Sequence, residues 1–198
     1  MDNKLALELL NVGVFPKKWE YNNEKADFEC LVQQFPEYQV ISFQGSKSPK
    51  DYIFYLMFIP WLFQGHLIHL GVQLGMRKAW REYIAPAVDF NKKTYVVGHS
   101  LGGARAGLFT ATYGKQFEDL ECVTFASLRF EHILTKFMYY NLAITRYEVR
   151  GDIVPHLPPW LFGYCHHGEK IKIGPKKFID FSAHPEGNYR KELAYIVI

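Results

Sequence analysis

The residues Gly98-His99-Ser100-Leu101-Gly102-Gly103 follow the apolar run Tyr95-Val96-Val97 and precede Ala104, Gly107 and Leu108. A serine that attacks a carbonyl must project from a sharp strand-to-helix turn, and the glycines two positions either side leave room for that strained backbone. The helix that follows aims its N-terminal amides at the developing oxyanion. G-x-S-x-G is short and arises by chance in glycine-containing chains, so context decides. Upstream the run is β-rich; downstream Leu101, Ala104, Leu108 and Ala111 recur at helical spacing before Gly114, a helix stop. Ser100 is therefore the candidate nucleophile.

A serine hydroxyl is almost wholly protonated at neutral pH, so a histidine must accept its proton and a carboxylate must orient that histidine. Hydrolases built on such an elbow bring these partners in the order serine, carboxylate, histidine, on loops beyond strand ends. Asp152 meets that description, opening Asp152-Ile153-Val154-Pro155-His156-Leu157-Pro158-Pro159, a proline-stiffened loop after an alternating strand. Asp180 is the rival carboxylate. His184, in Phe181-Ser182-Ala183-His184-Pro185-Glu186, is the candidate base. The following proline holds it out of the helical region and starts a helix from Pro185 to Tyr195, with Tyr189, Leu193 and Ile196 spaced to face the core. His166 and His167 are the alternatives, and with Cys165 they invite a metal reading. Adjacent residues on an extended segment point to opposite faces, and no further ligand pair has zinc-like spacing, so a structural role is favoured there. His99, inside the elbow, is expected to pack beside the serine.

The elements that must position these groups are legible in outline. Leu5 to Leu10 reads as a short helix, Tyr38 to Phe43 as a strand, and Leu70 to Ile84 as a helix that Pro86 ends. Thr94 to Val97 is a strand, the elbow helix runs to about Tyr113, and Cys122 to Phe125 is another strand. Phe130 to Tyr140 is expected to be helical. Thr145 to Arg150 alternates Thr145, Tyr147 and Val149 with Arg146, Glu148 and Arg150, as a half-buried strand does. Alternating strands and helices imply an α/β domain of three layers, an α/β-hydrolase-type arrangement around a mainly parallel sheet.

Composition narrows the function classes. A chain of 198 residues with 48% hydrophobic and 22% charged residues is long enough for one well-buried core, so a single domain over residues 1–198 is expected, not a disordered chain. A net charge of +3 makes no case for nucleic acid. Cys30, Cys122 and Cys165 lie far apart and imply no disulfide framework. The N-terminal stretch has Asp2 and Glu8 around a short apolar run, unlike a signal peptide, which favours a cytoplasmic location. The run Ile53 to Phe63 is interrupted by Pro60 and falls short of the roughly 20 residues of a spanning helix.

The motifs together resemble the class 3 lipases, a family that includes the fungal triacylglycerol lipases. Gly98 to Ala104 is identical to the family's Gly-His-Ser-Leu-Gly-Gly-Ala. Ile41-Ser42-Phe43-Gln44-Gly45-Ser46 resembles its strand ending in Phe-Arg-Gly-Ser/Thr, and Ile68-His69-Leu70-Gly71-Val72 its Val-His-x-Gly-Phe. Asp152 to Pro159 resembles Asp-Ile-Val-Pro-x-Leu-Pro-Pro, and Phe162 to Glu169 resembles Phe-Gly-Tyr-x-His-x-Gly-x-Glu. His184 with Tyr189 resembles the His-x-x-x-Tyr region. The resemblance implies Ser100 as nucleophile, Asp152 as orienting carboxylate and His184 as base, with the backbone amides of Ser46 and Leu101 forming the oxyanion hole. It also implies a structural His166 or His167. Two departures stand out: Gln44 replaces the usual arginine, and Ala126-Ser127-Leu128-Arg129 lacks the family's proline and later Gly-Asn.

The implied activity is carboxylic ester hydrolysis of lipid acyl esters through a serine acyl-enzyme, with no cofactor or metal. The alternative is an inactive hydrolase-fold module that binds lipid surfaces or a protein partner. Residues 50–66, with Pro159-Trp160-Leu161-Phe162, are expected to line an acyl groove or form a lid that contacts a membrane or lipid interface. Lys170, Lys172, Lys176 and Lys177 either touch anionic headgroups or form a solvated face.

Overall fold

The structure is a computed structural model that describes residues 2–14, 16, 18–46, 59–136, 142–175, 178–179 and 181–197. Among them the strands are β1 (Tyr21–Asn23), β2 (Phe28–Gln34), β3 (Gln39–Phe43), β4 (Pro60–Phe63), β5 (His66–His69), β6 (Thr94–His99), β7 (Leu120–Phe125), β8 (Glu131–His132), β9 (Ile144–Val149), β10 (Tyr164–Cys165) and β11 (Glu169–Ile173). The main sheet runs β1-β2-β3-β6-β7-β9-β11. β1, β2 and β3 pair antiparallel, and every neighbour pair from β3 to β11 is parallel. The expected mainly parallel sheet is present, extended by an antiparallel edge.

Period-two alternation sends residues of one strand to opposite faces. Ile41 and Phe43 of β3, Val96 of β6 and Cys122 of β7 enter one buried cluster with the elbow helix Leu101–Tyr113 and the helical stretch after β5. Val40, Tyr95, Val97 and Val123 enter the opposite cluster with Leu9 of the helix Asn3–Leu9 and Leu193 of the helix Glu186–Val197. Helices thus cover both faces, and the three layers follow. Because both faces are covered, β9 is buried along its length. Arg146 and Glu148, expected on a solvated face, are 8% and 7% exposed, and the Arg146 guanidinium donates to Glu148 Oε1 over 2.5 Å.

The stretch from Leu70 departs from one uninterrupted helix. Leu70–Gln73 is helical, Gly75 reverses the chain at φ +84°, and Met76–Ala79 continues through a π turn at Trp80–Ile84 into Ala85–Ala87. Pro86 therefore sits inside the helix. The π turn has already shifted the backbone pairing, since Ala85 N–H donates to Trp80 O, so a residue without an N–H is accommodated there. The expected helix from Phe130 is likewise replaced: Glu131–His132 is a strand of a small sheet ordered β10-β8-β5-β4, followed by a turn, and residues 137–140 of that expectation lie outside the described residues.

Glu131, fully buried, stitches that small sheet. Its Oε1 lies 3.4 Å from His66 Nδ1 and its Oε2 2.5 Å from His167 Nε2. His69 caps the helix Leu70–Gln73, its Nδ1 accepting from Gly71 N–H at 3.1 Å. Cys30, Cys122 and Cys165 are free thiols, the first two buried, with burial raising Cys122 to about 12. Among the described residues no helix is long and apolar enough to cross a membrane.

Candidate active site

The elbow forms where β6 ends against the elbow helix. Ser100 occupies φ +58°, ψ −124°, a conformation rare for a residue with a Cβ, with a typical strain of about 1–3 kcal/mol. The surroundings impose it. Ser100 N–H donates to Phe125 O of the adjacent β7 at 2.9 Å, and Ser100 O accepts from Ala104 N–H at 3.2 Å. A Cβ on Gly98 would meet Gly102 O at 2.2 Å, and one on Gly102 would meet Phe43 O at 2.2 Å. The two glycines therefore let the helix start pass directly against β6 and the end of β3, which leaves the serine side chain at the crest of the turn.

Asp152 and His184 converge on that crest from two other elements. His184 Nε2 lies 3.0 Å from Ser100 Oγ, and His184 Nδ1 lies 3.1 Å from Asp152 Oδ2. A carboxylate only accepts, so Nδ1 carries the proton and Nε2 is the acceptor for the serine hydroxyl. All three are shielded, with Ser100 3%, Asp152 2% and His184 7% exposed, so water competes little for these hydrogen bonds. Asp152 follows β9 and Gly151, which turns the chain at φ +95°. His184 precedes Pro185 and the helix Glu186–Val197, as the proline suggested.

Each member of the chain is held by further contacts. Asp152 Oδ1 accepts from Val154 N–H at 2.9 Å, and Oδ2 also accepts from the Tyr189 hydroxyl at 2.7 Å. Burial, and then the neighbouring Asp152 carboxylate, push the Tyr189 phenol far above its ordinary range, so it stays a donor. The His184 carbonyl accepts from His99 Nε2 at 3.0 Å, and the two rings lie 4.8 Å apart. Complete burial, aided by His184, holds His99 well below the usual imidazole range. It is neutral and braces the base from beneath.

The loop after β3 runs past the same crest. A Cβ on Gly45 would lie 3.6 Å from Ser100 Cβ, and Ser46 follows at once. Gln44, Gly45 and Ser46 line a cavity of about 300 Å³ with His99, Trp19 and Glu186. Leu101 is the first residue of the elbow helix and fully buried. The amides of Ser46 and Leu101 thus belong to the two segments that flank Ser100.

The structure separates the alternatives as well. His166 Nε2 pairs with Pro155 O at 2.7 Å while His167 turns to Glu131, so the adjacent rings face different partners. Neither joins Ser100. Asp180 lies outside the described residues, as do residues 50–58 of the expected groove or lid. The described remainder forms the hairpin of β4 and β5, with Trp61 and Leu62 exposed.

Two contacts were not anticipated from the sequence. Helical spacing assigns Tyr189 to the core, which is correct for its ring but silent about its hydroxyl. The partners of His99 and Tyr189 come from segments far away in the chain; His99 reaches residue 184 and Tyr189 reaches residue 152. One signal was available: a tyrosine on a core-facing stripe must find an acceptor for its O–H.

Comparison with known proteins matches this arrangement to a family. The lipase (class 3) family model matches residues 40–162, which include Ser100 and Asp152 and end before His184. A lipase of Rhizomucor miehei is 30% identical over 152 residues, covering 67% of this chain and 41% of that protein. A secreted mono- and diacylglycerol lipase of Fusarium solani is 34% identical over 110 residues, covering 48% of this chain and 32% of that protein. The chain thus spans less than half the length of these curated relatives. A solved structure of the Rhizomucor miehei triacylglyceride lipase superposes with a TM-score of 0.64 at 26% identity, covering 79% of this chain and 65% of that one. Because the family model matches more than half of its residues, this chain belongs to the class 3 lipases.

Proposed function

We propose that the chain is a carboxylic ester hydrolase acting on lipid acyl esters, with Ser100, His184 and Asp152 as its triad and the amides of Ser46 and Leu101 as its oxyanion hole. The observation that supports this reading most is the unbroken hydrogen-bonded line from Ser100 Oγ through both ring nitrogens of His184 to Asp152 Oδ2. In the forward step Ser100 Oγ bonds to the ester carbonyl carbon while its proton passes to His184 Nε2. The carbonyl oxygen becomes an oxyanion within reach of the two amides, and Asp152 stabilises the imidazolium from the Nδ1 side. Collapse breaks the carbon–oxygen bond, and the proton on Nε2 leaves with the alcohol. Water then attacks the acyl-serine with His184 again taking the proton, and a carboxylic acid departs.

A lipid substrate is supported by apolar surface of unusual density. Trp160, Leu161 and Phe162 are 71%, 74% and 57% exposed, and Trp61, Leu62, Phe178 and Phe181 are exposed as well. Phe178 and Phe181 precede the base in the same loop. Such side chains in water are costly, and contact with acyl chains or a lipid interface removes that cost.

The test is labelling with a serine-reactive fluorophosphonate. Wild type is expected to label and to cleave p-nitrophenyl esters, and Ser100→Ala to do neither while keeping its circular dichroism spectrum. A folded wild type that does neither overturns the proposal in favour of a binding module. A chain-length series of esters, measured below and above micelle formation, then separates lipase from short-chain esterase.

A further inference from the structure

We propose that Arg105 is a positioning residue for catalysis: from the elbow helix its guanidinium clamps the oxyanion loop by holding the Gln44 carbonyl. This rests on the hydrolase reading above and extends it to a residue outside the triad and the oxyanion amides.

Arg105 is fully buried, which is costly for a permanent charge unless the charge is used. Its Nη1 donates to Gln44 O at 3.3 Å, and the guanidinium lies 4.8 Å over the ring of Phe28. Phe28 in turn packs edge-on against Phe43, the last residue of β3. Gly102, one turn earlier on the same helix face, brings the helix backbone against Phe43 O and Gln44 C, where an added Cβ would fall at 2.2 and 2.8 Å. The other end of the Gln44 backbone is tied too, since its N–H donates to Glu29 O at 3.1 Å. Gln44 is therefore gripped at its amide by β2 and at its carbonyl by the helix that bears the nucleophile at its start.

The peptide plane explains why this grip matters. The Gln44 oxygen and the Gly45 N–H share one planar trans unit, so fixing the oxygen fixes that plane and the direction in which the chain leaves it. The next residue is Ser46. Gly45, lacking a Cβ, cannot resist rotation by side-chain sterics, so the orientation of the Ser46 amide depends on what holds Gln44. Gln44 also stands where the family motif has arginine, so its own side chain brings no cation to the loop. A donor misplaced by even about 1 Å loses most of its preference for the transition state over the ground state.

The experiment compares wild type with Arg105→Met, which keeps length and packing without the charge, and Arg105→Lys, which keeps the charge without the planar fork. Two readouts are taken: kcat and KM for a soluble p-nitrophenyl ester, and hydrogen–deuterium exchange of a peptide spanning residues 43–46. Arg105→Met is expected to lower kcat by about 10- to 100-fold with KM within about twofold, and to speed exchange at residues 45 and 46 selectively. Arg105→Lys shows the same split in smaller measure and decides the matter if the methionine variant does not fold. Unchanged kcat with unchanged exchange in a folded variant overturns the proposal, as does a loss confined to KM. If wild type proves inactive, the hydrolase reading has failed, and the exchange readout alone still decides whether Arg105 holds the loop.

Discussion

Replacing Tyr189 with phenylalanine removes one buried hydroxyl from the site. The ring is fully buried, lies 5.5 Å from His99 and 6.4 Å from Phe125 in edge-to-face geometry, and keeps all of that packing in phenylalanine. The 2.7 Å hydrogen bond to Asp152 Oδ2 is removed, together with the phenol's contact with the Val149 backbone. A hydrogen bond to a charged group contributes about 1.5–3 kcal/mol. Relief from burying the hydroxyl itself offsets part of this, leaving a net loss of about 1–2 kcal/mol. For a chain of this size that lowers Tm by about 2–8 °C. Asp152 keeps Val154 N–H on Oδ1 and His184 on Oδ2, so the base stays oriented and kcat is expected to fall by only about three- to tenfold. Asp152→Asn, which offers His184 an amide in place of a carboxylate, should lose on the order of 10⁴-fold. Thermal denaturation and steady-state hydrolysis of a soluble ester measure both. A Tyr189→Phe enzyme within 1 °C and twofold of wild type, by the same arithmetic, refutes the role given to the hydroxyl. So would a kcat loss equal to that of Asp152→Asn.

Gly102→Ala should destabilise by about 3 kcal/mol or more, because the added Cβ meets backbone at 2.2 Å and neither strand nor helix can yield; urea unfolding checks this. Trp160→Ser with Leu161→Ser should weaken vesicle binding at least about fivefold, since both side chains are largely exposed, while hydrolysis of a soluble ester stays within twofold; flotation assays decide. Burial holds His99 and His166 well below the usual imidazole range, so both are neutral in the folded protein and take up protons on unfolding. Their stabilisation is fully present above the unfolded value of about 6.5 and is lost as pH falls below it, by up to about 1.4 kcal/mol per pH unit each. Urea midpoints between pH 7.5 and 5 should fall accordingly, and a flat profile would contradict it.

What could be seen in the sequence was what local chemistry determines. The elbow was legible because a buried strand, two spaced glycines and a helical run occur within twenty residues, and His184 because Pro185 marks a helix start. Asp152 was legible from the alternating strand before it. What escaped depends on long-range partners. β2 pairs antiparallel with β3 and carries Phe28, yet it contains Glu29, Gln33 and Gln34 and shows no clean alternation. Glu131 looked like a polar position in a helix; it is a buried strand residue whose charge meets His66 and His167 from two other segments. The helix continues through Pro86 because the π turn at Trp80–Ile84 precedes the proline, a feature with no local signature in the sequence. Ile196, expected to face the core with Tyr189 and Leu193, is 48% exposed because the helix Glu186–Val197 has a narrower buried stripe near its end.

Ser100 is in place once β6, β7 and the elbow helix have formed, whereas its base and the hydroxyl that braces Asp152 stand at positions 184 and 189. A ribosome-bound chain that has emerged as far as Ile173 therefore contains every described strand of the main sheet, with Ser100 and Asp152, but not the histidine that joins them. The order of synthesis separates the appearance of the serine from the arrival of its histidine partner. A nascent chain passes through that interval with its nucleophile unarmed.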